Sequence, residues 1–186
     1  MKRILLIVLS VLLLSGCTAD RALENRALAL RSKLLNSNAC SFDAVVTADY
    51  GDKLYSFSLN CAVEGAGIMT FTVSQPEPIS GITGTISLQG GKLTFDDKVL
   101  SFSLLADGQL SPVSAPWILY KTLTGGYLTS CVQEGDYLRL SLDDSYEEDA
   151  LHLDVWLGAG DLPMQAEILY DNRRILTLQI ENFRIS

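Results

Sequence analysis

Eleven stretches of this chain alternate apolar and polar residues with a period of two, and that alternation limits the fold more than any other feature. Lys53 to Val63 shows it most clearly: Tyr55, Phe57, Leu59, Cys61 and Val63 alternate with Ser56, Ser58, Asn60 and Ala62. The segment before it sets Phe42, Ala44, Val46, Ala48 and Tyr50 against Ser41, Asp43 and Thr47. Further runs lie near 67–74, 82–88, 92–96 and 98–104, and then near 127–133, 136–142, 151–157, 163–170 and 174–183. Turn-forming residues divide them: Gly51-Asp52, Glu64-Gly65, Pro76 to Pro78, Gly90-Gly91, Asp96-Asp97, Gly135-Asp136, Gly158 to Asp161 and Asp171-Asn172. Successive side chains of a strand point to opposite faces, so each run has one apolar and one polar face. That is the signature of an antiparallel sheet covered on one side only. Phe57 and Leu178 are expected on the covered face, and Trp156 on the polar one.

Two segments have a different period. From Ala19 to Asn36, Leu23, Ala27, Leu30 and Leu34 recur at helical spacing, and Asn36-Ser37-Asn38 ends the pattern. The second segment, Ala115 to Leu123, follows the sixth strand; Pro112 and Pro116 stand near its start and Gly125-Gly126 just past its end. It is apolar on nearly every side, which predicts a helix buried against the concave face of the sheet. The expected fold is mainly β with two helices: a curled antiparallel eleven-strand meander, an incomplete barrel, with an N-terminal helix and a plug helix. No repeat, low-complexity stretch or linker interrupts it.

The N-terminus reads separately. Lys2 and Arg3 precede an apolar run from Ile4 to Leu14, shorter than the roughly 20 residues of a spanning helix, and Leu14-Ser15-Gly16-Cys17 follows. This ending resembles the lipobox of bacterial lipoproteins. The resemblance implies that residues 1–16 are a signal peptide and that Cys17 is acylated, for instance with palmitate. Residues 17–186 then form one domain anchored on the outer face of the cell membrane. Few residues separate Cys17 from the first helix, so the domain should sit close to the bilayer.

Composition narrows the partners. The 186 residues include 14 basic and 22 acidic ones, and losing Lys2 and Arg3 lowers the balance from −8 to −10. Such a surface repels phosphate backbones, which argues against nucleic acid. Besides Cys17 there are Cys40, Cys61 and Cys131, which cannot all pair. Counting outward from the Gly51-Asp52 turn puts Cys40 and Cys61 on one face and about one step off register. That favours a Cys40–Cys61 disulfide and leaves Cys131 as a buried thiol. There is no CxxC spacing and one histidine, so neither a metal nor a cofactor is expected.

Individual residues offer little catalytic chemistry. His152 lies between Leu151 and Leu153, which places it on the polar face, and no Gly-x-Ser-x-Gly elbow is present. Asp143 to Asp149 carries five carboxylates without a calcium-loop pattern and reads as a solvated hairpin loop. Trp117 belongs to the plug helix. Trp156 shares parity with His152 and Asp154, and a large aromatic on a polar face marks a candidate partner surface.

In the C-terminal third, Leu162-Pro163-Met164-Gln165-Ala166-Glu167-Ile168, Arg174-Ile175-Leu176-Thr177-Leu178 and Asn182-Phe183 resemble the closing hairpin of the outer-membrane lipoprotein carrier superfamily. Ser111-Pro112 to Gly126 resembles that family's plug segment. The resemblance implies kinship with the lipid-anchored sporulation and germination lipoproteins of Gram-positive spore-formers. It also implies a non-enzymatic protein that binds an acyl or lipid ligand in its concave sheet, with Trp117, Ile118 and Tyr120 at the cavity. The alternative is an accessory lipoprotein that docks a protein partner and holds no ligand.

Overall fold

The computed structural model describes residues 16–51, 53–65, 67–95, 98–102, 105–106 and 109–186. The apolar run of the signal segment and the turn residues Asp52, Asp96, Asp97, Asp107 and Gly108 lie outside the described residues. Helix α1 (Gly16–Asn36) leads into six strands: β1 (Ala39–Asp49), β2 (Leu54–Glu64), β3 (Ile68–Gln75), β4 (Thr83–Ser87), β5 (Gly90–Phe95) and β6 (Lys98–Phe102). A small hairpin of β7 (Leu105–Ala106) and β8 (Gln109–Leu110) precedes helix α2 (Ala115–Gly125). Five strands complete the chain: β9 (Tyr127–Glu134), β10 (Tyr137–Asp143), β11 (His152–Leu157), β12 (Pro163–Tyr170) and β13 (Arg173–Ile185).

Eleven of these strands form one antiparallel sheet in the order β6-β5-β4-β3-β2-β1-β13-β12-β11-β10-β9. The first and last strands of the chain therefore meet in the middle, with Val46 opposite Leu178, and the sheet ends at β6 and β9 without closing. The alternation in the sequence marks these strands well. Two details differ from it: α1 already includes Gly16, ahead of the expected Ala19, and Leu105–Ala106 pairs with Gln109–Leu110 in a separate two-stranded hairpin.

The apolar parity of the long strands faces one core, to which β9 adds only the half-buried Leu128 and Cys131. Val46, Ala48, Leu153, Val155, Leu157, Leu176 and Leu178 are fully buried there. Gly84 stands on this face because a Cβ would lie 2.7 Å from the Lys92 carbonyl oxygen and closer still to the Phe71 ring. The β12–β13 hairpin turns on Asp171 and Asn172, whose φ values of 48° and 57° are those of a type I′ turn, a conformation Asp and Asn tolerate. In β13 the inward parity is even through Leu176, Leu178 and Ile180, then shifts to Phe183. A bulge absorbs the shift: Ser41 pairs with Arg184 and Asp43 with Glu181, while Asn182 takes a φ of 53°.

Candidate functional site

The concave face is covered by the helices in part. In α2, Trp117 and Ile118 are each 3 % exposed and Leu119 is fully buried, so the helix fills the concavity as a plug. Trp117 Nε1 donates to the Gly67 carbonyl oxygen at 3.1 Å, which satisfies the indole in the core. Tyr120, half-buried on the next face of α2, has its phenol pushed above the ordinary range by burial. Lys121 pairs with Asp144 at 3.5 Å and lies 5.9 Å from the centre of the Trp117 ring.

Helix α1 lies against β9 and α2, and packs Ala27, Leu30 and Leu34 into the core at the spacing expected of them. Two arginines hold it from outside that stripe. Arg31 donates from Nε to the Leu123 carbonyl and from Nη2 to the Gly126 carbonyl, at 2.8 and 2.7 Å. The Leu123 carbonyl, in the last turn of α2, has no partner within the helix and belongs to the negative end of its dipole, and Gly126 is the extended residue that follows the helix. Arg26 donates to Asp161 through Nε at 3.0 Å and Nη2 at 2.6 Å, and reaches Gln133 Oε1 at 3.0 Å. Neither arginine stands out in the sequence, because its partners are far along the chain.

The same apolar face emerges at the other half of the sheet. Leu93 pairs with Leu100, and Tyr55 pairs with the fully buried Ala48, so these residues share the inward parity. Yet Tyr55, Phe95 and Leu100 are 43, 49 and 64 % exposed, and Phe57 and Leu93 are half-buried. Leu178 is fully buried as expected, whereas Phe57 stands at the margin of the core. Tyr50, Tyr55 and Phe57 form a row of rings with centroids 6.2 and 6.5 Å apart, and Tyr50 Oη donates to the Leu110 carbonyl at 2.6 Å. Beneath α1 and α2, a cavity of about 10 Å³ lies between Leu30, Leu123 and Leu140.

The backbone of Cys17 falls in the first turn of α1. Cys40 and Cys61 lie on the concave face as free thiols. The ladder sets Cys40 opposite Val63 and Cys61 opposite Phe42, which makes the cysteines diagonal neighbours. Diagonal Cα positions are about 7–8 Å apart, beyond the usual reach of a disulfide. Burial pushes the Cys40 thiol up to about 12 and raises Cys61 as well; Cys131, half-buried, is raised by burial and by the charge of Glu24. The thiolate is the reactive form. Iodoacetamide on the native protein should therefore modify Cys131 first and leave Cys40 and Cys61 thiols intact, as read by peptide mapping. A disulfide-linked peptide containing Cys40 and Cys61 would contradict this register.

On the opposite face, Trp156 is half-buried beside His152 and Asp154, with Nε1 donating to Glu134 Oε2 at 2.9 Å. His152 Nδ1 lies 2.7 Å from Asp143 Oδ1, and the Ser141 hydroxyl donates to Asp154 Oδ1, not to the imidazole. Ser141 is thus not aligned as a nucleophile with His152 as its base. Among the described residues, no group of three or more His, Cys, Asp or Glu side chains is placed to hold a metal ion.

No family model matches this chain, and no curated protein matches it. Its fold is similar to several solved structures. An outer-membrane lipoprotein-sorting protein domain from Vibrio parahaemolyticus aligns over 87 % of this chain and 91 % of its own, with 9 % identity and a TM-score of 0.49. The lipoprotein LppX of Mycobacterium tuberculosis aligns over 88 % and 96 %, with 12 % identity and a TM-score of 0.45. A LolA superfamily protein from Nitrosomonas europaea aligns over 88 % and 93 %, with 7 % identity and a TM-score of 0.45. With so few residues shared, nothing about the ligand of this chain follows from them.

Proposed function

We propose that the mature chain is a lipoprotein, anchored by acyl groups on Cys17 to the outer face of the cell membrane, that holds an acyl chain or similarly apolar ligand on its concave face. The observation that carries this reading is the exposure of Tyr55, Phe95 and Leu100 on a face that is buried elsewhere. Water-facing aromatic and aliphatic groups at the margin of a core gain about 25 cal/mol for each Å² a ligand covers. Each methylene of the ligand adds about 0.8 kcal/mol, less the cost of association. A ligand resting there does not require the plug residues Trp117, Ile118 and Tyr120 to move, although deeper insertion would. Because Cys17 lies within α1, the tether between the acyl groups and the domain is short.

The test uses the mature chain made soluble by Cys17→Ser and titrated with a fluorescent long-chain fatty acid. Phe95→Ser and Leu100→Ser should each weaken binding by about tenfold or more, the worth of covering one large apolar side chain. Wild-type affinity in both variants would sink this reading.

A second reading has a specific observation behind it. The plug is tightly packed, and Trp156 presents an indole beside Arg139, the residue types that dominate protein interfaces. Arg139 Nε lies 2.8 Å from Glu134 Oε1, and Glu134 Oε2 accepts from Trp156. In this reading the protein docks a partner, for example in a sporulation or germination assembly, and holds no ligand. Trp156→Ala then abolishes partner pull-down, and the fatty acid probe does not bind the wild-type chain.

A further inference from the structure

A sizeable groove lies on the face that should be idle. A trough of about 910 Å³ crosses the outer face from β13 through β1 to β6. That is the size of a small-molecule site, but its lining is mixed, with polar side chains beside Phe42, Phe71 and Val99, where such sites are mostly apolar. Thr70 and Thr72 of β3 stand opposite Thr85 and Thr83 of β4, and Thr83 in turn faces Thr94 of β5. The hydroxyls form a lattice at strand spacing; Thr70 Oγ1 donates to the Ala62 carbonyl at 3.3 Å and is left to accept, whereas a hydroxyl without such a bond can donate and accept.

At one end of the trough the β13 bulge has a consequence for chemistry. Asn182, held in the left-handed region, points its amide at β1, and Nδ2 donates to Asp43 Oδ2 at 2.7 Å. Asn60 Nδ2 donates to Asp43 Oδ1, also at 2.7 Å. These hydrogen bonds, Asn182's first and Asn60's next, hold the Asp43 carboxyl below its ordinary range, aided by the charge of Arg184. The carboxylate is therefore fixed and ionised between two planar amides, each with a carbonyl oxygen and a second N–H to spare. Asn tolerates this backbone region, and the bulge it allows re-aims the side chain toward Asp43. Lys92 on β5 and Arg184 on β13 also line the trough, and among the described residues neither makes an ion pair. The net charge of the chain is −8, so two such cations in one groove are a local exception.

We infer that this trough binds an oligosaccharide bearing carboxylates. Adjacent hydroxyls of a sugar ring each donate and accept, which matches the fixed alternation of carboxylate and amide at Asp43, Asn60 and Asn182. The threonine floor continues that pattern for the following rings, and Lys92 and Arg184 meet the acidic groups. From β13 to β5 is five inter-strand steps, about 24 Å along the sheet, which is room for several sugar units. The site lies back to back with the apolar face, and its occupancy does not depend on the lipid-binding reading.

The experiment titrates the Cys17→Ser mature chain with hyaluronan hexasaccharide, which carries carboxylates, and with chitohexaose, which does not. Hyaluronan hexasaccharide should bind at least about tenfold more tightly than chitohexaose. Asn182→Gly keeps the left-handed backbone and removes the amide, and should weaken binding about tenfold, the worth of a hydrogen bond to a charged network. Thr85→Val, nearly isosteric, should weaken it several-fold with the melting temperature unchanged. Fatty acid affinity should be unaltered in both variants, so the two sites are read separately. The inference is overturned if hyaluronan hexasaccharide fails to bind, if both sugars bind equally, or if Thr85→Val retains full affinity in a folded chain.

Discussion

Trp117→Ala should lower the free energy of unfolding by about 3–5 kcal/mol, the cost of emptying an aromatic site in a core that relaxes only in part. The indole is 3 % exposed. Its removal also strips the Gly67 carbonyl of the N–H it accepts and the Lys121 ammonium of the ring beneath it. At about 2–4 °C per kcal/mol for a chain of this size, the melting temperature should fall by roughly 6–20 °C. Urea denaturation followed by far-ultraviolet circular dichroism gives the free energy independently. On the outer face, Trp156→Ala should stay within about 1 kcal/mol. Equal losses at the two tryptophans would mean that α2 is not the plug or that β11 presents the other face to the core.

Cys17→Ala should abolish lipid incorporation entirely. Each acyl methylene buried in a bilayer contributes about 0.8 kcal/mol, so two chains on one cysteine anchor a domain stably. Among the described residues no helix is long and apolar enough to cross a membrane, and in the proposed reading the acyl groups on Cys17 are the anchor. Radiolabelled palmitate should enter the wild-type protein and leave the Cys17→Ala variant unlabelled. The processed form of the variant should shift from the membrane to the soluble fraction. Label retained by the variant would mean that another residue is acylated and would remove the basis for placing α1 against the bilayer.

These two results test different levels of information. The period-two alternation determined the eleven strands and their facing, because the pleat sends successive side chains to opposite sides regardless of context. Leu178 inward and Trp156 outward follow from parity alone, and the plug helix follows from an apolar stretch between proline and glycine stops. Local turn chemistry closed the hairpins, as at Asp171 and Asn172. The bulge was also legible, as the step from Leu176, Leu178 and Ile180 to Phe183, where the apolar parity changes. That signal concerns one residue and is easily absorbed into a longer strand.

What the tertiary structure decided is everything that depends on residues far apart in the chain. The pairing of β13 with β1 places both ends of the domain at the centre of the sheet and leaves β6 and β9 as its edges. Parity places Cys40 and Cys61 on the same face, but only the ladder shows them to be diagonal. How far α1 and α2 reach across the concavity determines that Leu178 is buried while Phe57, Phe95 and Leu100 meet solvent. The trough has the same origin, since its floor brings Asn182 to Asp43 and Asn60, more than a hundred residues earlier in the chain. Alternation is a local property of the pleated backbone and can be read from neighbours, whereas coverage and convergence come from packing between elements, which no single segment encodes.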